Sequence, residues 1–277
     1  MFTIAQITDL HITTSDDASN QIRNADRLRQ VLASINALRP RPVAIIATGD
    51  LVDRGRAEEY EALKAILTAI DLPIYLGVGN HDNRLAALSE FSAPNIETDP
   101  NGFIQYVREF DNYRLIMCDT LDAGRETGAF CEHRAEWLHK TLTDRPATPT
   151  LIALHHPPIM SGIRWMDPAP RAEWIDRLEQ VISQHSQVCA ITSGHLHRAF
   201  VRRFANSLVT VSPATSIQLT LDLTPVDLRV PDGREILNEE PPGFMVHIFD
   251  AGEITSHFCV GGPWASAAHY AHPFIKS

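Results

Sequence analysis

Apolar residues in this chain come in short unbroken runs, separated by stretches where they recur every three or four positions. The runs Thr3–Ile7, Val43–Thr48, Ile74–Val78, Leu115–Cys118, Leu151–Leu154 and Val188–Thr192 predict buried strands, being too short for helices. Between them, Asn24–Leu38 sets Leu28, Val31, Leu32, Ile35 and Leu38 at helical spacing. Further helices are predicted over Ala57–Ile70, near Arg134–Leu142 and over Arg171–His185. Such alternation marks a layered α/β domain. After about residue 199 the pattern shifts to consecutive strands at Phe200–Phe204, Leu208–Val211, Ile217–Leu221, Phe244–Phe249 and Ile254–Cys259, with turns at Pro231-Asp232-Gly233 and Ala251-Gly252. We therefore expect an antiparallel second half-sheet, and overall a two-sheet sandwich flanked by helices. One domain over residues 1–260 is expected, with no repeat or flexible linker. The tail 261–277, rich in Trp, Tyr, Phe, Pro and His, is too apolar to hang free and is expected to pack on the domain or on a neighbouring subunit of a homo-oligomer.

The polar residues fall where chemistry would need them. One strand runs into Asp9-Leu10-His11, the next into Gly49-Asp50-Leu51-Val52-Asp53-Arg54-Gly55, and the third into Gly79-Asn80-His81-Asp82. Two later strands end in His155-His156-Pro157-Pro158 and Gly194-His195-Leu196-His197. Sites in open α/β sheets form beyond the carboxyl ends of strands, so five such blocks can converge on one crevice. In Asp9-x-His11 and His195-x-His197, residues two apart on an extended segment would point the same way. A carboxylate such as Asp50 can bridge two cations, and Asn80 offers a neutral carbonyl oxygen. Glycines at 49, 79 and 194 would allow sharp turns beside these side chains. Mixed nitrogen and oxygen donors suit Zn, Fe, Mn or Co better than Ca or Mg.

Composition narrows the partners. Against 24 Lys and Arg stand 34 Asp and Glu, a net charge of −10, which argues against a nucleic-acid polymer. A small phosphorylated substrate remains open, because bound metals invert the local field. The four cysteines, Cys118, Cys131, Cys189 and Cys259, form no CxxC pair, so neither a disulfide framework nor a zinc knuckle is expected. Met1-Phe2-Thr3-Ile4 enters a strand directly, and no run approaches the roughly 18 apolar residues of a membrane span. No membrane association and a cytoplasmic setting are expected.

Taken in order, DxH, GDxxD, GNHD, a histidine after a strand and GHxH resemble the calcineurin-like metallophosphoesterase superfamily, over roughly residues 5 to 200. The HHPP and GHLH blocks, with Met166-Asp167-Pro168, look most like its class III cyclic nucleotide phosphodiesterase and glycerophosphodiesterase branch. That resemblance implies a four-layer α-β-β-α sandwich of two mixed sheets flanked by helices. It also implies two divalent metal ions, one held by Asp9, His11, Asp50 and His197, the other by Asp50, Asn80, His156 and His195. Asp50 would bridge, and His81 would face the substrate. The implied reaction is hydrolysis of a small phosphodiester, a cyclic nucleotide or a glycerophosphodiester, by in-line attack of a metal-bound hydroxide. Asp82 would orient the His81 imidazole. Ile217 departs from the branch pattern, standing where a histidine on the substrate side is expected. GDLVDRG also matches the protein-phosphatase branch, though Asp82 stands where that branch has Glu. A phosphomonoesterase or protein phosphatase is therefore one alternative. A metal-binding scaffold with vestigial activity is another.

The other polar residues invite plainer readings. His155 is expected to point away from the site, and Asp53 and Arg54 to stabilise their loop. His133, His139 and His185 read as solvated helix residues, His247 and His257 as structural strand residues, and Arg234-Glu235 with Glu239-Glu240 as surface charge. His269 and His272 belong to the aromatic tail. Trp165 and Met166 sit near the expected crevice, where an apolar wall competes with ordinary loop packing.

Overall fold

A computed structural model describes residues 1–14, 18–167, 171–227 and 229–268. The first half of the chain runs β1 (Phe2–Ile7), α1 (Ala18–Ala37), β2 (Ala44–Thr48), α2 (Ala57–Leu67), β3 (Ile74–Gly77), α3 (Arg84–Glu90), β4 (Tyr106–Phe110) and β5 (Tyr113–Met117). The second half continues with α4 (Glu132–Asp144), β6 (Thr150–Ala153), α5 (Glu173–Ile182), β7 (Val188–Ser193), β8 (Phe200–Phe204), β9 (Ser207–Val211), β10 (Gln218–Leu219), β11 (Leu237–Asn238), β12 (Gly243–Asp250) and β13 (Glu253–Val260). One mixed sheet has the order β13-β12-β1-β2-β3 and the other β4-β5-β6-β7-β9-β8.

Side-chain alternation along the second sheet shows how the layers stack. Leu115, Met117, Leu151, Ala153 and Ala190 join one core cluster together with residues of the first sheet, α1 and α2. Their neighbours Ile116, Ile152 and Ile191 join the other, beneath α4 and α5. Both sheets are thus covered on both faces, the expected helix–sheet–sheet–helix sandwich. A buried polar seam links the sheets. Gln6 on β1 donates to Thr48 Oγ1 at 2.9 Å and Ser193 O at 3.1 Å, while its own Oε1 accepts from Thr192 Oγ1 at 2.5 Å. His247 Nε2 lies 3.0 Å from the same Oε1, so this strand histidine is structural and fully buried.

The strands after residue 199 join the two large sheets, except β10 and β11, which pair with each other. β8 and β9 extend the second sheet, with β9 parallel to β7, whereas β12 and β13 complete the first beside β1. The expected strand Ile217–Leu221 shrinks to Gln218–Leu219, paired with β11. Strand β4 and helix α3 were not foreseen. YVREF is a polar edge strand without the apolar run that marks the interior ones. His185, expected to be solvated, is 6% exposed and sits 3.1 Å from the His139 ring. All four cysteines are unpaired. Among the described residues no helix is long and apolar enough to cross a membrane. Gly261 N donates to Pro242 O and Gly262 N to Ser34 Oγ on α1; His269 and His272 lie outside the described residues.

Candidate metal centre

Every block singled out in the sequence lies at the carboxyl end of a strand, and the structure brings all of them together. Ligand atoms of Asp9, His11 and His197 lie within 4.8 Å of one another, as do those of His155, His156 and His195, and those of Asp9, Asp50 and His155. Asn80 Oδ1 is 3.0 Å from His195 Nδ1. His81 belongs to a fourth such group, with His11 and Asp50.

Main-chain groups of one strand end position the side chains of another. The His195 amide donates to both Asp9 oxygens at 3.0 Å, and the His81 amide donates to Asp50 Oδ1 at 2.9 Å. Two close approaches demand glycine. A Cβ on Gly194 would collide with Thr8 and Asp9, and one on Gly79 with Asp50 and His155. Neither has a positive φ; only Gly49 of the three does, so close packing and not turning is what most of these glycines supply. The segments Asp9–His11 and His195–His197 are not extended either. Asp9, His11, Asp50, His195 and His197 have φ of 52°, 44°, 47°, 70° and 47°, five of the eight non-glycine residues with positive φ among those described. Such backbone costs about 1–3 kcal/mol per residue and concentrates where function requires it.

The imidazoles are presented in defined tautomers. His197 Nδ1 donates to Ile217 O at 2.7 Å, and His81 Nδ1 to Asp53 O at 2.7 Å; a carbonyl only accepts, so each Nδ1 carries the hydrogen. His156 Nδ1 meets Thr120 Oγ1 at 2.9 Å, and the same oxygen accepts from the His156 amide at 3.2 Å. His156 Nε2 is then buried with no partner among the described residues. His11 Nε2 and His197 Nε2 face each other at 3.1 Å. Burial pushes the His195 ring down to about 3, with His155 adding to the effect, and lowers His156 and His197, so these rings stay neutral and keep a lone pair. Among them lie two buried carboxylates. Burial raises Asp9 to about 6, whereas for Asp50 the burial penalty is outweighed by His155, His11 and His81, which hold it well below the usual carboxylate range. Ring nitrogens that face each other, an orphaned Nε2 and two shielded acids are what a cation-binding cluster looks like.

Two expectations need correction. His155 does not point away: its Nδ1 donates to Thr48 O at 2.8 Å, and its Nε2 lies 3.3 Å from Asp50 Oδ2 and 3.2 Å from Asn80 Oδ1. Both its nitrogens face acceptors, and although burial lowers its pKa, adjacent Asp50 more than offsets this and raises it to about 9. Asp82 does not orient His81. It accepts from the amides of Gly79, Leu51 and Val52 and from Tyr60 Oη, tying the second and third blocks together. Glu235, Glu239 and Glu240 are exposed, as expected of surface charge, and Arg234, Glu239 and Glu240 pair there with Asp222, Arg23 and Arg198. Asp53 and Arg54 do steady their loop, pairing at 3.4 Å, and Asp53 also lies 3.5 Å from His11 Nδ1.

Thr120 was missed, although it follows the end of β5 as the other blocks follow theirs. Its segment is locked by Asp119, which Arg84 grips at 2.6 and 2.7 Å and Arg134 approaches at 3.8 Å. Above the cluster opens a cavity of about 500 Å³, whose lining includes His11, Asp50, Asn80, His81, His195 and His197. Trp165, Met166, Ile217, Leu219, Ile236 and Leu237 line it as well.

This cluster of strand-end histidines and aspartates on a four-layer sandwich defines a metallophosphoesterase. The chain belongs to the calcineurin-like phosphoesterase family, whose profile matches residues 2–199. It is 30% identical over 256 residues to a protein of Arcobacter nitrofigilis described as "Probable glycerophosphodiester phosphodiesterase", covering 92% of this chain and 91% of that one. It is also 30% identical to a 3',5'-cyclic-nucleotide phosphodiesterase of Nostoc sp., covering 88% of this chain and 86% of the relative. Among solved structures, a dimetal phosphatase from Danio rerio shares the fold, with a TM-score of 0.62 at 16% identity over 94% of this chain and 99% of that one. Family and relatives agree on a metal-dependent phosphodiester hydrolase.

Proposed function

We propose that this protein hydrolyses small phosphodiesters, cyclic nucleotides or glycerophosphodiesters, at a pair of divalent metal ions. The carrying observation is the 3.1 Å approach of His11 Nε2 to His197 Nε2, two nitrogens aimed at one point beside buried carboxylates. Asp9, His11, Asp50 and His197 would hold one ion, and Asp50, Asn80, His156 and His195 the other, with Asp50 shared. His155, facing acceptors through both nitrogens, would brace Asp50 and Asn80 and leave coordination to His156. The donor set suits Mn, Fe, Zn or Co. Bound there, the ions would supply Lewis acidity toward the phosphoryl oxygens and activate water. His81, steered by Asp53 O, would contact the phosphoryl group or protonate the leaving alkoxide. Residues 1–260 would form the catalytic unit, the tail packing on it or on another copy in a homo-oligomer.

The test is hydrolysis of bis(p-nitrophenyl) phosphate by chelated protein before and after adding Mn. Turnover should vanish on chelation and return with metal. A fully metallated sample that turns over nothing would instead make the chain a metal-binding scaffold.

A further inference from the structure

The cavity is two-faced. Besides the histidines and aspartates, it is lined by Trp165, Met166, Ile217, Leu219, Ile236 and Leu237, and the indole N–H of Trp165 is the only side-chain hydrogen-bond donor among these six. Ile236 and Leu237 are 48% and 41% exposed, large apolar side chains held open to solvent at the mouth of a site. Of the polar residues that also line it, Asn24 Nδ2 donates to His11 O, Arg23 pairs with Glu239 and Arg54 with Asp53, while Glu126 is exposed.

This wall is built, not incidental. Asp167 accepts from the amides of Ser161 and Gly162 at 2.6 and 2.8 Å, fixing the turn that carries Trp165 and Met166. On the other side, Leu219 pairs with Leu237, and Thr220 N donates to Ile236 O at 3.0 Å. Two hydrogen bonds join that ribbon to His197, whose Nδ1 donates to Ile217 O and whose carbonyl accepts from Leu219 N. The ribbon is therefore tied to the histidine–aspartate cluster through His197.

We propose that this wall selects diesters whose ester group is a flat aromatic ring, stacked on Trp165 between Ile217 and Ile236, over those carrying a polyol such as glycerol. The inference rests on the phosphodiesterase reading and narrows it. A ring gains by leaving water against apolar side chains, whereas glycerol hydroxyls would be desolvated against groups that cannot receive them.

Binding without chemistry tests this. On metal-loaded protein, dissociation constants would be measured by calorimetry for phenyl phosphate, glycerol 3-phosphate and inorganic phosphate. Phenyl phosphate should bind about tenfold or more tighter than glycerol 3-phosphate. Trp165→Ala, and separately Ile236→Ser, should shrink that ratio while inorganic phosphate binding stays unchanged. Equal or tighter binding of glycerol 3-phosphate would overturn the proposal, as would variants that weaken all three ligands alike. Diester turnover on the same samples separates the two readings. Turnover without ring preference sinks the wall alone; ring preference without turnover sinks the phosphodiesterase reading and leaves the wall standing.

Discussion

On the histidine–aspartate side of the cleft, side chains leave the ends of buried strands and are fixed by the main chain of different strand ends, as Asp9 is by the His195 amide and Asp50 by the His81 amide. Along the apolar lining, Trp165 and Met166 ride on a turn, and Ile236 and Leu237 beside or on a ribbon of two-residue strands. Beneath the first side lies the Gln6–Thr192–His247 seam; the second rests on surface ion pairs such as Arg234–Asp222. The difference teaches where each property of the site resides. Chemistry is held by parts that are costly to move, and choice of substrate by parts that can vary without unfolding the sandwich.

If the two sides are separable in this way, variants on the first should abolish chemistry whatever the substrate. Asp50→Ala removes the shared carboxylate, so bound metal per chain should fall and turnover should drop by more than about 10³-fold. Unchanged metal content, read by elemental analysis, would break the division. His81→Ala should keep its metal yet slow turnover by about 10²-fold, most for poor leaving groups. Equal slowing across leaving groups would take His81 off the reacting atoms.

The seam offers a test by pH. Burial lowers the His247 pKa from 6.5 to about 4, so the unfolded chain takes up this proton first. The stability gained by keeping the ring neutral is complete above about pH 6.5 and drains as pH falls toward 4, by up to about 3 kcal/mol. Urea unfolding from pH 7 to 4.5 should therefore show a shallower loss for His247→Gln than for the parent. Identical slopes would remove His247 from the pH dependence. The smallest effect is expected at Thr120, which orients His156. Thr120→Val should weaken metal binding by about tenfold, with Thr120→Ser restoring it. If the valine variant binds metal as tightly as the parent, Thr120 is packing only.

How far the sequence could be read follows the same division. Buried strands such as Ala44–Thr48 carry apolar runs that no other element needs, and a polar block following such a run can hardly be anything but its exit. Seven cluster residues, Asp9, His11, Asp50, Asn80, His156, His195 and His197, were legible for that reason. His155 is misplaced by alternation, which turns neighbours to opposite faces, yet His155 and His156 both reach the cluster beside His195. Asp82 was misread for want of its partners, since the amides of Leu51 and Val52, some thirty residues away, come beside it only after folding. The places of β8, β9, β12 and β13 were hidden because alternation reports a strand without naming its neighbour. Ile236 and Leu237 left no signal, their pattern being that of any short ribbon.

The most direct check is to titrate metal-stripped protein with Mn while following bound ions and diester turnover on the same samples. Two ions should be held per chain at saturation, with turnover appearing only as both positions fill. Full turnover with no ion bound, or a saturated protein that retains none, would contradict the paired-ion cluster.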